Sequence, residues 1–348
     1  MMRLTSRGLA ALLAAGVVII GIALWVTSRQ PSAGRGEAGR LVFPGLVRSL
    51  NAVTQVRILA GNGMHTTLQR QAKDWIVAER GFQADSGLVR KLLIGLSQLK
   101  IVEQKTSDPA EYPVIGVEKV TSPHATGTRI DLTEPGKTMS LIIGSASGED
   151  SSFIRLVGAK QSLLVSPQIV PDADPRHWLF NTVIDLPQSR VKDVRVEPAG
   201  ERAYTLTRTS PKQVDFTIPE LPKGRRLASA SAPDSVANAL SSLTLEDVHK
   251  PDGPQTYPDR ATFQTFDGLT VKVDGRRDGD ARYIELSAQS ASKAAQPQAQ
   301  ALDSRFAGWE LEILGYQYDA IFQPLDGLLA PLPAKTNNSA TRRRHAKK

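Results

Sequence analysis

Val53, Val56 and Ile58 return as Val191, Val194 and Val196 at a constant offset, and Leu68 with Arg70 returns as Leu206 with Arg208 at the same one. Asp74-Trp75 is answered by Asp215-Phe216. Asp85-Ser86, ahead of a leucine-spaced run, is answered by Asp234-Ser235. A pattern written twice constrains the chain to two copies of one supersecondary plan. In the first copy, alternating apolar residues predict strands at His65 to Arg70, Trp75 to Ala78, Thr128 to Leu132, Met139 to Ile143, Phe153 to Val157 and Leu163 to Val165. In the second, Thr262 to Phe266, Leu269 to Val273 and Tyr283 to Leu286 answer the strands after the helix. The runs opening at Asp85 and Asp234 predict one amphipathic helix apiece. Leu88, Leu92, Leu96 and Leu99 share a face of the first, and Leu240 and Leu243 a face of the second. A helix laid over an antiparallel sheet buries both apolar faces, so the expected fold class is α+β.

Ahead of the two copies, Gly8 to Val26 forms an uncharged run of 19 residues. As a helix it has the length of a bilayer core. A cleaved signal peptide would have a shorter apolar region and a small-x-small exit, whereas this run ends in Leu-Trp-Val. The expected organisation is therefore an anchor over 1–27, a Gly-, Ser- and Arg-rich linker over 28–40, α+β repeats over 41–186 and 187–330, and a basic disordered tail over 331–348. Ser287 to Leu302, rich in Ala, Gln and Ser, reads as a loop running into a short helix.

The net charge of +8 belongs to the two ends. Removing the eleven basic residues outside 41–330 and the one acid there, Glu37, from totals of 43 and 35 leaves 32 basic and 34 acidic residues. A near-neutral body disfavours nucleic acid as a partner. The absence of cysteine excludes disulfides, thiolate metal sites and cysteine nucleophiles, and suits an exported domain.

The short motifs favour structural roles. Ser97-x-x-Lys100 has the spacing of serine acyl-enzymes, but the serine falls near a helix end on its polar side, and the second copy has no matching lysine. Gly136-Lys137-Thr138 matches the tail of a phosphate loop without its start, since Asp131 stands where a glycine is needed, and it lies in a hairpin turn. Asp274, Asp278 and Asp280 lack the spacing of a calcium loop and have arginines between them. His65, His124, His177, His249 and His345 form no local ligand pair. No catalytic residue, metal ligand or cofactor is expected.

Several stretches resemble the bacterial family called domain of unknown function forty-three forty. They are LNAVTQVRI, the long run from DWIVAERGF to PVIGVE, LIIG with FIRL, DPRHWLFNTVIDLP, and ELPKGRRL with LTLEDV. The most specific part joins Ile101-Val102-Glu103, Lys105-Thr106, Tyr112 and Gly116-Val117-Glu118. Pro113 and the basic tail depart from the family pattern. The resemblance implies a single-pass inner-membrane protein with a periplasmic body, working beside an ABC-type permease, its ATPase and a gliding-motility-like auxiliary subunit. It also points to Glu103, Lys105, Tyr112 and Glu118 as a candidate partner-docking loop. The expected function is that of a non-enzymatic accessory subunit of an export or envelope-remodelling complex. The alternative is an envelope module holding lipid or glycan between the two repeats.

Overall fold

The computed structural model describes residues 37–332. The chain divides into two compact units between Phe180 and Asn181. In the first, β1 (Gln55–Ala60), β2 (His65–Gln71), β3 (Asp74–Val77) and β4 (Phe82–Gln83) form a meander, followed by a helix over Ser86–Gln98 and β5 (Lys100–Gln104). After a loop come β6 (Thr128–Glu134), β7 (Lys137–Ala146), β8 (Ser152–Leu156) and β9 (Ser162–Ser166). The nine strands lie in the order β4-β3-β2-β1-β6-β7-β8-β9-β5. Alternation sets their faces: Val56 and Ile58 of β1 are buried on either side of exposed Arg57. Leu68, Ile130, Leu132 and Leu141 join them in the core.

The chain itself covers both borders of this sheet. Gly39 N–H donates to Ile101 O, Ile101 N–H to Arg40 O and Val42 N–H to Leu99 O, which pairs the incoming segment with β5. At the other border Phe180 N–H donates to Gln83 O, beside a bridge between Ala84 and Leu179.

The second unit holds a seven-stranded antiparallel sheet of β11 (Val191–Glu197), β12 (Tyr204–Thr207), β14 (Asp247–His249), β15 (Asp259–Thr265), β16 (Leu269–Asp278), β17 (Ala281–Ser290) and β18 (Glu310–Glu312). Their order is β12-β11-β15-β16-β17-β18-β14. A separate ribbon pairs β10 (Thr182–Ile184) with β13 (Leu243–Thr244). Phe216, Phe263, Phe306, Tyr318 and Phe322 are the large fully buried side chains of this unit.

The expected α+β plan, a transmembrane helix and then two repeats with one packed helix each, is overturned. The described residues are mostly antiparallel sheet with few helices, and the helices do not repeat. Ser86–Gln98 is a full helix of 13 residues, capped by the Asp85 carboxylate, which accepts from Gly87 N–H at 2.7 Å and Leu88 N–H at 3.2 Å. Its counterpart shrinks to the single turn Asp234–Ala237. There the Asp234 carboxylate accepts from Phe216 N–H instead of capping the turn. The following Asn238, Ser241 and Ser242 are poor helix formers, and Ser242 stands at φ 58°. Leu243, expected on that helix, lies in β13. The packed helix of the second unit is Gln296–Phe306, between β17 and β18 in the chain and laid over β16 and β17. Among the described residues no helix is long and apolar enough to cross a membrane. The run over 8–26 and the tail beyond 332 lie outside the described residues.

The buried face of Ser86–Gln98 is also shifted from the leucine stripe. Val89, Leu92, Leu93, Leu96 and Ser97 point inward, while Leu88 is 40% exposed. The Ser97 hydroxyl, expected on the polar side, donates to Ile94 O within the packed face. Leu96→Ala should therefore cost about 3 kcal/mol in chemical denaturation. Leu88→Ala should stay within about 0.5 kcal/mol of the parent. Equal losses would restore the leucine stripe as the core face.

Candidate functional site

The loop between β5 and β6 carries the residues singled out by the sequence. Lys105 pairs with Glu103 at 2.7 Å on the exposed side. Asp108 caps the turn that follows, accepting from Ala110 N–H, and Tyr112 opens a helical turn over Tyr112–Ile115. Tyr112 is buried: its hydroxyl donates to Lys160 O, and the Arg155 guanidinium lies 4.6 Å from its ring centroid. Arg155, itself buried, donates to Val117 O at 2.8 Å and Ala159 O at 3.2 Å. The turn ends at Gly116, whose φ of 68° is the left-handed conformation of a helix C-terminus. It lies so close to β7 that a Cβ on Gly144 would collide with Ile115 O. Glu118 is 9% exposed; one carboxylate oxygen accepts from Thr126 N–H and the other has no hydrogen-bond partner. The structure thus splits the set. Glu103 and Lys105 face solvent, as do Val102 and Val114 in the same stretch of chain, while Tyr112 and Glu118 turn inward and hold the loop.

A signal passed over in the sequence links this loop to the second unit. The spacing K-x-x-x-P-x-x-Y-P occurs at Lys105-Pro109-Tyr112-Pro113 and again at Lys250-Pro254-Tyr257-Pro258. Both loops leave the outermost strand of a sheet and feed the strand after it, β5 to β6 and β14 to β15. In the second loop the tyrosine hydroxyl meets side chains. Tyr257 lies 2.9 Å from a Glu285 oxygen and 3.0 Å from a Glu310 oxygen. Glu310 is fully buried on β18, where Arg276 grips it with two N–H groups and His249 Nε2 lies 2.9 Å away. Burial alone would raise the Glu310 carboxyl, but the hydrogen bonds from Arg276 and Tyr257 and the Arg276 charge hold it below the usual range. Burial, reinforced by the two carboxylates, pushes the Tyr257 phenol well above its ordinary value.

A concave surface lies within the first unit. An open groove of about 590 Å³ runs between Ser86–Gln98 and the segment Pro167 to Trp178, with Leu88, Leu92, Ile94, Ile169, Val170 and Trp178 along it. Its loop wall is braced by a chain of short contacts. Asp172 accepts from Asp174 N–H and faces His177 Nδ1 at 2.6 Å, and its backbone carbonyl accepts from Trp178 Nε1. Asp174 accepts from Arg176 N–H and from the Arg176 guanidinium, which lowers its carboxyl to about 2. This groove is not legible in the sequence, because its two walls stand far apart along the chain.

The weighed motifs stay dispersed. Gly136 takes φ 80° in the β6–β7 hairpin, and Lys137 pairs with Glu134. Asp274 faces Arg260, Asp278 faces Arg276, and among the described residues no three acidic or histidine side chains gather to hold a metal. His65 and His177 each face a carboxylate, Glu79 and Asp172, while His345 lies outside the described residues.

A family model described as "Domain of unknown function (DUF4340)" matches residues 75–261, more than half of the chain. The match spans the groove helix and both tyrosine loops. Comparison with curated proteins and with solved structures gives no match.

Glu310→Gln should destabilise the chain by about 3 kcal/mol, because Arg276 loses a buried carboxylate. Tyr257→Phe should cost about 1 kcal/mol in the same denaturation series. Asp174 supplies a pH test. Its folded value of about 2 lies below the ordinary 3.8, so its contribution is present above pH 4 and lost as the pH falls towards 2. Asp174→Asn should cost roughly 2 kcal/mol at neutral pH, with the gap to the parent closing between pH 4 and 2. A gap independent of pH would remove the charge from the account.

Proposed function

We propose, from the premise that this chain belongs to the family described as a domain of unknown function (DUF4340), that it is a non-enzymatic, membrane-anchored accessory subunit. Its place is the bacterial inner membrane, single-pass, with the main body in the periplasm, beside an ABC-type permease, its ATPase and a gliding-motility-like auxiliary subunit. The observation that carries this reading is the uncharged run over 8–26, joined by only twelve residues to Gly39, where the pairing with the β5 border begins. The employment of the most reactive-looking side chains supports the non-enzymatic part. Glu310, Arg276 and Tyr257 are consumed by one another, and Arg155 and Tyr112 by backbone carbonyls and ring contact. Glu103 and Lys105, with Val102 and Val114 close by in sequence, present an exposed surface for a partner, positioned from below by Tyr112 and Glu118.

A second reading, an envelope module that binds lipid or glycan, is favoured by one observation: the apolar groove in the first unit.

Cross-linking of the tagged full-length protein in native membranes, with mild detergent extraction and mass spectrometry, separates the two. The accessory reading expects a permease and an ATPase in the eluate. It also expects recovery to fall in Val114→Asp, whose site is 74% exposed and outside the core. An inserted protein recovered alone would rule the accessory reading out.

A further inference from the structure

We infer that the groove between Ser86–Gln98 and Pro167 to Trp178 takes an acyl chain of an anionic phospholipid, with Lys91 at the rim to meet the headgroup. The inference rests on the membrane-anchored reading above and names what a groove placed there would hold.

Three large apolar side chains stand open to solvent along this one groove: Leu88 at 40%, Ile94 at 39% and Val170 at 80% exposure. Apolar residues gathered around one concavity mark a binding surface, whereas single scattered ones do not. The groove volume of about 590 Å³ falls in the range of small-ligand sites. Its helical wall of 13 residues is roughly 20 Å long, comparable to an extended fatty-acyl chain.

The charge at the rim selects the headgroup. Lys91 is exposed and makes no ion pair among the described residues. The rim carboxylate, Asp172, is already engaged by His177 and by Asp174 N–H. Asp172 keeps its charge within that hydrogen-bonded turn, which leaves Lys91, without an ion pair among the described residues, as the cation at the mouth for a headgroup phosphate.

The entry of the chain selects the source. Val42 N–H donates to Leu99 O, so the incoming segment meets the sheet at the residue after Gln98, where the helical wall of the groove ends. The residues between Val26 and Glu37 reach at most about 40 Å when fully extended. A groove tied that closely to an embedded segment works at the surface of the bilayer, where acyl chains are the abundant apolar ligand.

The test uses the full-length protein in vesicles of phosphatidylethanolamine and phosphatidylglycerol carrying a photoreactive acyl phosphatidylglycerol, with adducts mapped by mass spectrometry. Adducts are expected on peptides spanning Leu88 to Gln98 and Pro167 to Val170, as well as on 8–26. Ile94→Asp should lower groove labelling about fivefold while labelling of 8–26 stays unchanged. Lys91→Glu should lower capture of the phosphatidylglycerol probe about fivefold but leave a phosphatidylethanolamine probe unaffected. Both positions are exposed, and matched denaturation midpoints confirm that the variants fold. Labelling confined to 8–26 overturns the groove inference and leaves the anchored reading standing. A chain that alkaline carbonate strips from vesicles, with no adduct anywhere, overturns both. A polypeptide captured from a photoreactive residue at position 94 in native membranes, in place of lipid, also overturns it. Unchanged capture by Lys91→Glu overturns the headgroup assignment.

Discussion

Backbone pairing at the borders of the nine-stranded sheet is the constraint on which the first unit depends. An antiparallel sheet leaves a row of unpaired N–H and C=O groups at each border, and such rows recruit other chains. Here Gly39, Arg40 and Val42 are hydrogen-bonded along the start of β5, and Phe180 is hydrogen-bonded to Gln83 of β4. Each border is met by the chain entering or leaving the unit, so the ends of the unit are structural parts of its sheet. The same economy governs the β5–β6 loop, where Arg155 satisfies Val117 O and Ala159 O while covering the Tyr112 ring. A buried guanidinium is tolerated because carbonyl oxygens surround it.

The strands were legible because an alternating pattern reports a half-buried sheet directly: Val56 and Ile58 are inside, Arg57 outside, as the period requires. The second helix was not, because Leu240 and Leu243 fit a helical period that capping and composition did not support. The Asp234 carboxylate accepts from Phe216 N–H, and Ser241 and Ser242 stand between Leu240 and Leu243. Periodicity alone cannot separate a helix from a turn leading into a strand when only two apolar residues carry the signal. Helix Gln296–Phe306 lies in a stretch whose low hydropathy left only a loop and a short helix in view, and β17 supplies the surface that orders it.

The candidate site divides along the same line. The loop from Glu103 to Glu118 was marked by its residues, but the inward turn of Tyr112 and Glu118 depends on Gly116 and Gly144 meeting across the fold, which linear spacing does not reveal. The repeated K-x-x-x-P-x-x-Y-P spacing was readable and carries physical content. In each unit it delivers a tyrosine hydroxyl beneath the loop, to backbone carbonyls in one and to Glu285 and Glu310 in the other. One scaffold position is thus satisfied by neutral acceptors in the first unit and by charged ones in the second.

The pairing of the incoming segment with β5 has a mechanical consequence. Any tension on the chain ahead of Glu37 meets the β5 border before β1, first at Glu37, which accepts from Gln104 Nε2, and then at residues 39 to 42, bonded to Leu99 and Ile101. These contacts act as strain relief: they can yield one by one while Val56, Ile58 and the strands beside them keep their packing. A body pulled from the Glu37 side would therefore lengthen at the sheet border before its core felt the force.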